Sequence, residues 1–148
     1  MVPIVIIAHR PLAGALVEAA RHVYSRFSPA AAREMRALDV DPDCDTAKVL
    51  ARAREIIREA DRGAGVLVLV DLLGATPGNI ARQLAEPGRV EVISGASMPM
   101  VLRSVCYSEE PLEKLAARAL DGGVKGIEPV RPDAPPAAPV APCGPAEP

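Results

Sequence analysis

The apolar and polar positions of this chain fall into blocks that predict strands and helices in alternation. The first block, residues 3–8, is a near-continuous apolar run, which is typical of a strand buried on both faces of a sheet. In the later blocks, the apolar residues either recur at the spacing of a helix or form short β-branched runs. The predicted elements are a strand over 3–8, a helix over 12–26, a strand over 33–40, a helix over 45–60, a strand over 66–71, a helix from 77 toward Gly88, a strand over 89–94, a helix over 97–106, a helix over 112–120 and a short last strand over 124–130.

Proline and glycine mark several of the predicted helix ends. Thr76–Pro77 and Ser97–Pro99 each place a capping hydroxyl just before a proline of a first helical turn. Gly122–Gly123 is expected to close the helix over 112–120. Repeated β-α-β units of this kind predict a doubly wound α/β fold, with a mainly parallel sheet and helices on both faces.

The composition changes sharply after residue 128. Eight of the sixteen prolines lie between 129 and 148, where they are mixed with alanine. Such a segment cannot pack a core. We therefore expect one domain over 1–128, followed by an Ala/Pro-rich disordered tail over 129–148.

Composition and charge exclude some classes of partner. The 148 residues are 49% hydrophobic but include only one Phe, two Tyr and no Trp, so platforms for stacking bases are missing. The net charge is −2, with both signs interleaved, which gives no support to a surface for nucleic acid or membranes.

The cysteines and the N-terminus favour a cytoplasmic protein. Cys44, Cys106 and Cys143 are odd in number and far apart, so we interpret them as free thiols in a reducing compartment. The apolar run over 3–8 is too short for a signal peptide or a membrane span, and no charged region precedes it. No metal cluster is visible in the sequence, and we expect no cofactor.

His9 is the most informative single residue, because it follows the first predicted strand directly. Open α/β sheets bind their ligands at the carboxyl ends of the strands. Asp71 ends the third predicted strand, and a parallel sheet would bring it to the same edge. A histidine that accepts a phosphoryl group needs one ring nitrogen free and the other held, which a carboxylate does well. The Thr76 hydroxyl and the backbone N–H groups of the helix at Pro77 could bind the phosphoryl oxygens.

Each of these residues alone also fits a structural role. His9 and Asp71 could simply cap loops and turns, Thr76 and Ser97 could be helix caps, and Gly74 could be a turn glycine. Arg10 is a surface charge, and both Arg10 and Ser97 could contact a phosphate or a partner. The hypothesis depends on His9 and Asp71 taken together.

Three segments, residues 4–9, 66–79 and 92–100, also carry a resemblance in their order and spacing. Over about residues 2–128 the chain resembles the enzyme IIA domain of the mannose-class sugar phosphotransferase system. The resemblance implies a homodimer of doubly wound α/β subunits. In that dimer the strand over 124–130 would be exchanged as an antiparallel C-terminal edge strand.

The same resemblance implies a phosphotransferase with defined residue roles. His9 would take a phosphoryl group from phosphorylated HPr on its Nε2, and Asp71 would bind the other ring nitrogen. Thr76 lies where the family has Ser or Thr near the phosphate, and Gly74 and Ala75 of the same loop are also expected to bind the phosphate. The acceptor would be a IIB component that passes the group to a sugar, which associates the chain indirectly with a membrane sugar permease.

The chain departs from the family pattern at two places. Arg10–Pro11 follows the histidine where the family usually has glycine, and Gly74–Ala75 stands where two glycines are common. A guanidinium beside His9 would tighten the phosphorylated state or change which partner docks.

Three other interpretations stay open at this point. The chain could be a regulatory module whose His9 phosphorylation state controls partner binding, without sugar transport. It could be the related phosphotransfer subunit of a dihydroxyacetone kinase. An aspartyl-phosphate receiver built on Asp71 is weaker, because receivers place acidic residues after the first strand, where this chain has His9.

Overall fold

The predicted parallel sheet is present, with its strands in the order β2-β1-β3-β4. The computed structural model describes residues 1–25 and 29–136. All neighbouring strands in these ranges pair in parallel, and helices cover both faces, so the doubly wound α/β class is confirmed. The strands are β1 (Ile4–His9), β2 (Met35–Val40), β3 (Val66–Val70) and β4 (Val90–Ser94).

Two helical layers enclose the sheet. The first layer packs on one face and the second on the other, each with its own apolar cluster. The first layer contains α1 (Leu12–Tyr24), α2 (Pro29–Arg33), α5 (Met98–Cys106) and α6 (Leu112–Lys125). The second layer contains α3 (Thr46–Ala60) and α4 (Thr76–Arg82).

The apolar run over 4–8 is explained by the central position of β1 in the sheet. Successive side chains of a strand point to opposite faces, so a central strand in a two-layered sheet needs apolar residues at every position. Ile4, Ile6 and Ala8 belong to the core on one face, and Val5 and Ile7 belong to the core on the other. Polar character returns only at His9, where the strand ends and the side chain becomes exposed.

The strand order places a topological switch point between the carboxyl ends of β1 and β3. From β1 the chain crosses to β2 on one side, and β3 and β4 then extend the sheet on the other side. The connections that follow β1 and β3 therefore leave the sheet in opposite directions. Such a topological switch point is where open α/β sheets bind their ligands.

Most predicted elements are found within a few residues of their predicted limits. Strand β2 begins at Met35 rather than 33, because the short helix α2, which was not predicted, precedes it. Helix α4 ends at Arg82, well before Gly88. The predicted end of the first helix, near Arg26, lies outside the described residues.

The prediction that Gly122–Gly123 would close helix α6 is wrong. The helix continues through both glycines to Lys125. A Cβ at Gly122 would lie 2.6 Å from the Arg103 Cβ, and one at Gly123 would lie 2.7 Å from the Met100 Cε. These glycines therefore let α6 approach α5 closely, and they do not end the helix.

The predicted last strand over 124–130 is not formed in the single chain. Its first two residues, Val124 and Lys125, are the end of α6, and residues 127–130 belong to no helix or strand. A strand at this place would need a partner strand, and the exchange between two subunits stays a prediction. The predicted tail over 129–148 lies mostly outside the described residues.

The cysteine prediction is confirmed in one position and wrong in another. Cys44 is a free cysteine. Cys106 is disulfide-bonded, so the prediction of a free thiol is wrong there. Cys143 lies outside the described residues. Among the residues that are described, no helix is both long and apolar enough to cross a membrane.

Candidate functional site

His9 and Asp71 meet at the carboxyl ends of β1 and β3. The His9 ring nitrogen Nδ1 lies 2.6 Å from the Asp71 Oδ2. The His9 backbone N–H donates to the same oxygen at 3.1 Å, and the Leu72 backbone N–H donates to Oδ1 at 2.9 Å. Both carboxylate oxygens are thus fixed by donors, and the sequence-predicted pair is brought into direct contact.

This contact defines which ring nitrogen of His9 can react. A carboxylate only accepts hydrogen bonds, so the Nδ1 of a neutral His9 carries the proton and Nε2 carries the lone pair. The His9 side chain is 46% exposed whereas that of Asp71 is 12% exposed. The arrangement therefore presents a nucleophilic nitrogen to solvent and keeps its orienting carboxylate mostly covered.

Asp71 is held in its charged form. Burial raises the pKa of Asp71, but the hydrogen bonds from the His9 ring, the His9 backbone and the Leu72 backbone outweigh it. The pKa of Asp71 therefore lies below its ordinary value of 3.8. At neutral pH a full negative charge faces Nδ1 and would stabilise positive charge on the ring.

The loop after Asp71 brings Gly74, Ala75 and Thr76 to the same edge of the sheet. Gly74 has a φ of +79°, a conformation that favours glycine. Ala75 is the N-cap of α4 and Thr76 is its first residue, so the prediction that Thr76 is the cap is wrong. Pro77 lies in the first turn as expected, and no side chain caps this helix.

Gly78 is a positioning residue that the sequence analysis missed. A Cβ at Gly78 would lie 2.5 Å from the Leu72 carbonyl oxygen and 3.1 Å from the Leu73 Cα. Its missing side chain therefore lets α4 pack against the loop that begins at Asp71. A glycine inside the first turn of a predicted helix was the available signal.

Arg10 forms an ion pair with Asp41 on the other side of β1. The Arg10 Nε lies 2.5 Å from the Asp41 Oδ1, and Nη2 lies 3.4 Å from Oδ2. The Arg10 backbone N–H also donates to the Val40 carbonyl at 3.1 Å. The sequence analysis missed Asp41, which directly follows β2 as Asp71 directly follows β3, and this shared position was the available signal.

Asp39 occupies the N-terminus of α1, the helix that follows His9. Its Oδ1 accepts the backbone N–H groups of Ala13 and Gly14 at 2.9 Å and 3.3 Å. The N-cap residue Pro11 supplies no capping side chain, so a carboxylate from β2 takes that role. This residue was also missed, because the contact spans two separate elements.

Ser97 has a structural contact in this chain. Its hydroxyl accepts the Met100 backbone N–H at 3.4 Å, which caps α5 as predicted. The Ala96 N–H donates to the Val70 carbonyl at 2.9 Å and so ties the loop after β4 to the end of β3. A contact between Ser97 and a phosphate or partner stays a prediction. Within residues 1–25 and 29–136, no group of three or more His, Cys, Asp or Glu side chains is arranged to hold a metal ion.

The chain is similar to members of a known protein family. The family of PTS system fructose IIA components matches residues 3–120, which include His9, Asp71 and Thr76. The Escherichia coli K12 protein YadI, described as a candidate phosphotransferase enzyme IIA component, is 42% identical over 56 residues. That alignment covers 37% of this chain and 38% of YadI, so the chain matches well under half of this relative.

Solved structures share the fold along nearly the whole chain. The mannose/sorbose-specific IIA subunit of the phosphotransferase system from Enterococcus faecalis superposes with a TM-score of 0.75 at 20% identity, covering 93% of this chain and all of that one. The phosphotransferase system component EIIA from Streptococcus agalactiae gives a TM-score of 0.74 at 19% identity, covering 87% of this chain and 97% of that one. At these identities the likeness concerns the fold.

Proposed function

We propose, since the chain belongs to the family of PTS fructose IIA components, that it is a phosphohistidine carrier of a sugar phosphotransferase system (PTS). In this proposal Nε2 of His9 accepts a phosphoryl group from phosphorylated HPr. It then passes the group to a IIB component, which serves sugar uptake or its regulation. The observation that carries the proposal is the 2.6 Å contact between the His9 Nδ1 and the Asp71 Oδ2.

The transfer step follows from the chemistry of that pair. The lone pair on Nε2 attacks the phosphorus of the donor phosphohistidine. The donor P–N bond breaks, and its electron pair returns to the donor imidazole. The His9 ring keeps its Nδ1 proton and gains positive charge, which the Asp71 carboxylate stabilises. The reverse exchange with an acceptor nucleophile returns His9 to its neutral state.

The loop over 74–76 is the proposed site for the phosphoryl oxygens. The Thr76 hydroxyl is a donor, and the backbone of Gly74 and Ala75 follows the same edge of the sheet. Ala75 is the N-cap of α4 and has no side-chain oxygen that would compete for the first N–H groups of the helix. In this proposal the phosphoryl oxygens are bound by the Thr76 hydroxyl and by backbone N–H groups of the same loop and of α4.

Exposed apolar side chains beside the site support transfer between proteins. Leu72 and Leu73 follow Asp71 directly and are 58% and 56% exposed, and Leu12 is 38% exposed. Large apolar side chains grouped on a surface are typical of protein contacts. We propose that they contact the donor and the acceptor around His9.

A mass measurement tests the phosphocarrier proposal. We would mix the purified chain with phosphoenolpyruvate, enzyme I and HPr and look at neutral pH for the gain of one phosphoryl group, about 80 Da. We expect an acid-labile gain in the wild type and in His22→Ala, which alters an exposed histidine of α1, and no gain in His9→Ala. A full gain in folded His9→Ala, or none in the wild type, would overturn the proposal.

We also propose that the chain forms a homodimer through its C-terminal region. Four apolar side chains at the end of α6 and just after it are more than half exposed: Leu120, Val124, Ile127 and Val130. A second copy that exchanges residues 124–130 would cover them. Light scattering should give the mass of two chains for the wild type and of one chain for the double variant Val124→Asp/Ile127→Asp. A monomeric wild type at micromolar concentration would contradict the dimer.

We also propose that the domain ends near residue 128. The family match over 3–120 ends inside the proposed domain over 1–128. Limited proteolysis should cut first within 129–148 and leave a resistant core that ends near 128. Early cleavage inside the core, with 129–148 intact, would contradict this boundary.

A further inference from the structure

Two consecutive residues at the end of β1 each reach a carboxylate that follows a neighbouring strand. His9 contacts Asp71, which follows β3, and Arg10 contacts Asp41, which follows β2. A permanent cation thus lies one residue from the proposed phosphoryl acceptor. In the form described here, that cation is bound on the opposite side of β1.

The ion pair between Arg10 and Asp41 is suited to exchange. The two side chains are 57% and 55% exposed, and exposed ion pairs contribute little to stability because water solvates both partners. The nearby Asp39 raises the pKa of Arg10 less than Asp41 does, and its carboxylate is already engaged by the amides of α1. Asp41 is therefore the main competitor for the guanidinium.

A phosphoryl group on His9 would be the stronger competitor. It brings close to two negative charges and three acceptor oxygens, whereas Asp41 brings one charge and two oxygens. A guanidinium binds such a group by two parallel hydrogen bonds. Neighbouring Cα atoms are about 3.8 Å apart, so the long exposed Arg10 side chain can reach a group on the His9 ring by rotating about its own bonds.

We propose that Arg10 is a phosphoryl-binding residue that Asp41 holds in the unphosphorylated form. When His9 is phosphorylated, the guanidinium leaves Asp41 and donates to the phosphoryl oxygens, and Asp41 becomes free. This inference rests on the proposed function of His9. It makes Asp41 a residue that opposes phosphorylation by competing for Arg10.

The phosphoryl exchange equilibrium with phosphorylated HPr tests this competition in the full chain. Arg10→Gln should lower the equilibrium constant for uptake about tenfold, because a charge-assisted contact in the phosphorylated form is lost. Asp41→Asn should raise the constant several-fold, because the competitor is gone. The double variant should behave like Arg10→Gln alone.

Matched variants separate this effect from general changes in charge. Arg52→Gln removes an arginine of similar exposure that pairs with Glu55 on α3, and Asp43→Asn removes an exposed aspartate from the loop that contains Asp41. Both should leave the equilibrium constant unchanged. If Asp41→Asn and Arg10→Gln shift the constant in the same direction, or if Asp41→Asn acts equally without Arg10, the inference is wrong.

The Arg10 Nε–H signal in NMR spectra gives a second readout. It should move when the wild type is phosphorylated, and in unphosphorylated Asp41→Asn it should already have lost its ion-paired position. An unmoved signal in a phosphorylated wild type would overturn the inference and leave the phosphocarrier proposal standing. If the wild type takes up no phosphoryl group, the proposed function fails and the inference fails with it.

Discussion

A single carboxylate oxygen of Asp71, Oδ2, accepts hydrogen bonds from both the ring Nδ1 and the backbone N–H of His9. The backbone contact fixes the carboxylate relative to β1, and the ring contact fixes the imidazole relative to the carboxylate. The orientation of the reactive ring is thereby tied to the register of two parallel strands. The pairing of β1 with β3 therefore determines where Nε2 lies as well as how the sheet packs.

Replacing Asp71 by asparagine should slow phosphoryl uptake at His9. The amide carries no charge that could stabilise positive charge on the ring. Its NH2 group can also donate to Nδ1, which favours the tautomer with the proton on Nε2, the nitrogen that must react. We expect the uptake rate to fall about 10- to 100-fold, as when an orienting partner of a histidine is removed. Rapid-quench kinetics with phosphorylated HPr would measure this fall. Asp43→Asn, which changes the net charge equally, should keep the wild-type rate.

Asp71 should also make the folded chain sensitive to acid. A carboxyl group whose pKa is lower in the folded state stabilises that state above its unfolded pKa, and this contribution is lost as the pH falls through the folded value. The pKa of Asp71 lies below 3.8, so its contribution is lost below that pH. The wild type should therefore lose more of its free energy of unfolding between about pH 5 and about pH 2.5 than Asp71→Asn does.

Urea unfolding at several pH values measures this difference. Parallel curves of free energy against pH for the two proteins would show that the hydrogen bonds from His9 and Leu72 do not favour the charged form of Asp71.

Substitutions at Gly78 and Gly74 should have different consequences. Gly78→Ala brings a Cβ within 2.5 Å of the Leu72 carbonyl and must displace the loop that begins at Asp71. We expect a loss of about 1–3 kcal/mol of stability together with slower phosphoryl uptake. Gly74→Ala meets no atom within 4 Å and carries only the strain of its positive φ.

Thermal unfolding and uptake kinetics on both glycine variants would check this contrast. If Gly74→Ala slows uptake more than Gly78→Ala, then conformational freedom at Gly74 matters more than the packing of α4 against the loop.

The exposed leucines after Asp71 should affect partner binding without affecting the chemical step. Leu73→Ser removes apolar contact area from a side chain that is 56% exposed, so folding stability should change little. The concentration of phosphorylated HPr needed for half-maximal uptake should rise several-fold, because that area is lost only from the complex. The rate at saturating donor is the internal control. A fall in that rate at unchanged half-saturation would contradict a docking role.

The sequence predicts the part of this site that depends on single strands. His9 and Asp71 each follow an apolar run whose end is visible in the sequence, and parallel pairing then brings them together. Asp39 and Asp41 were not found, because their roles depend on how β2 lies against β1 and α1. The end of α6 was mispredicted for a related reason. Gly122 has the local appearance of a helix stop, and only its contact with Arg103 shows why it lies inside the helix.

The placement of Asp39 makes the two helix ends beside His9 unequal. On the β2 side, the Asp39 carboxylate already accepts the first N–H groups of α1 and neutralises the positive end of that helix. On the β3 side, α4 begins without any capping side chain. If His9 carries a phosphoryl group as proposed, we expect its oxygens to find backbone donors at α4 and not at α1. Asp39, whose carboxylate binds the amides of α1 and not the His9 ring, would thereby help to fix the side on which the phosphoryl group is held.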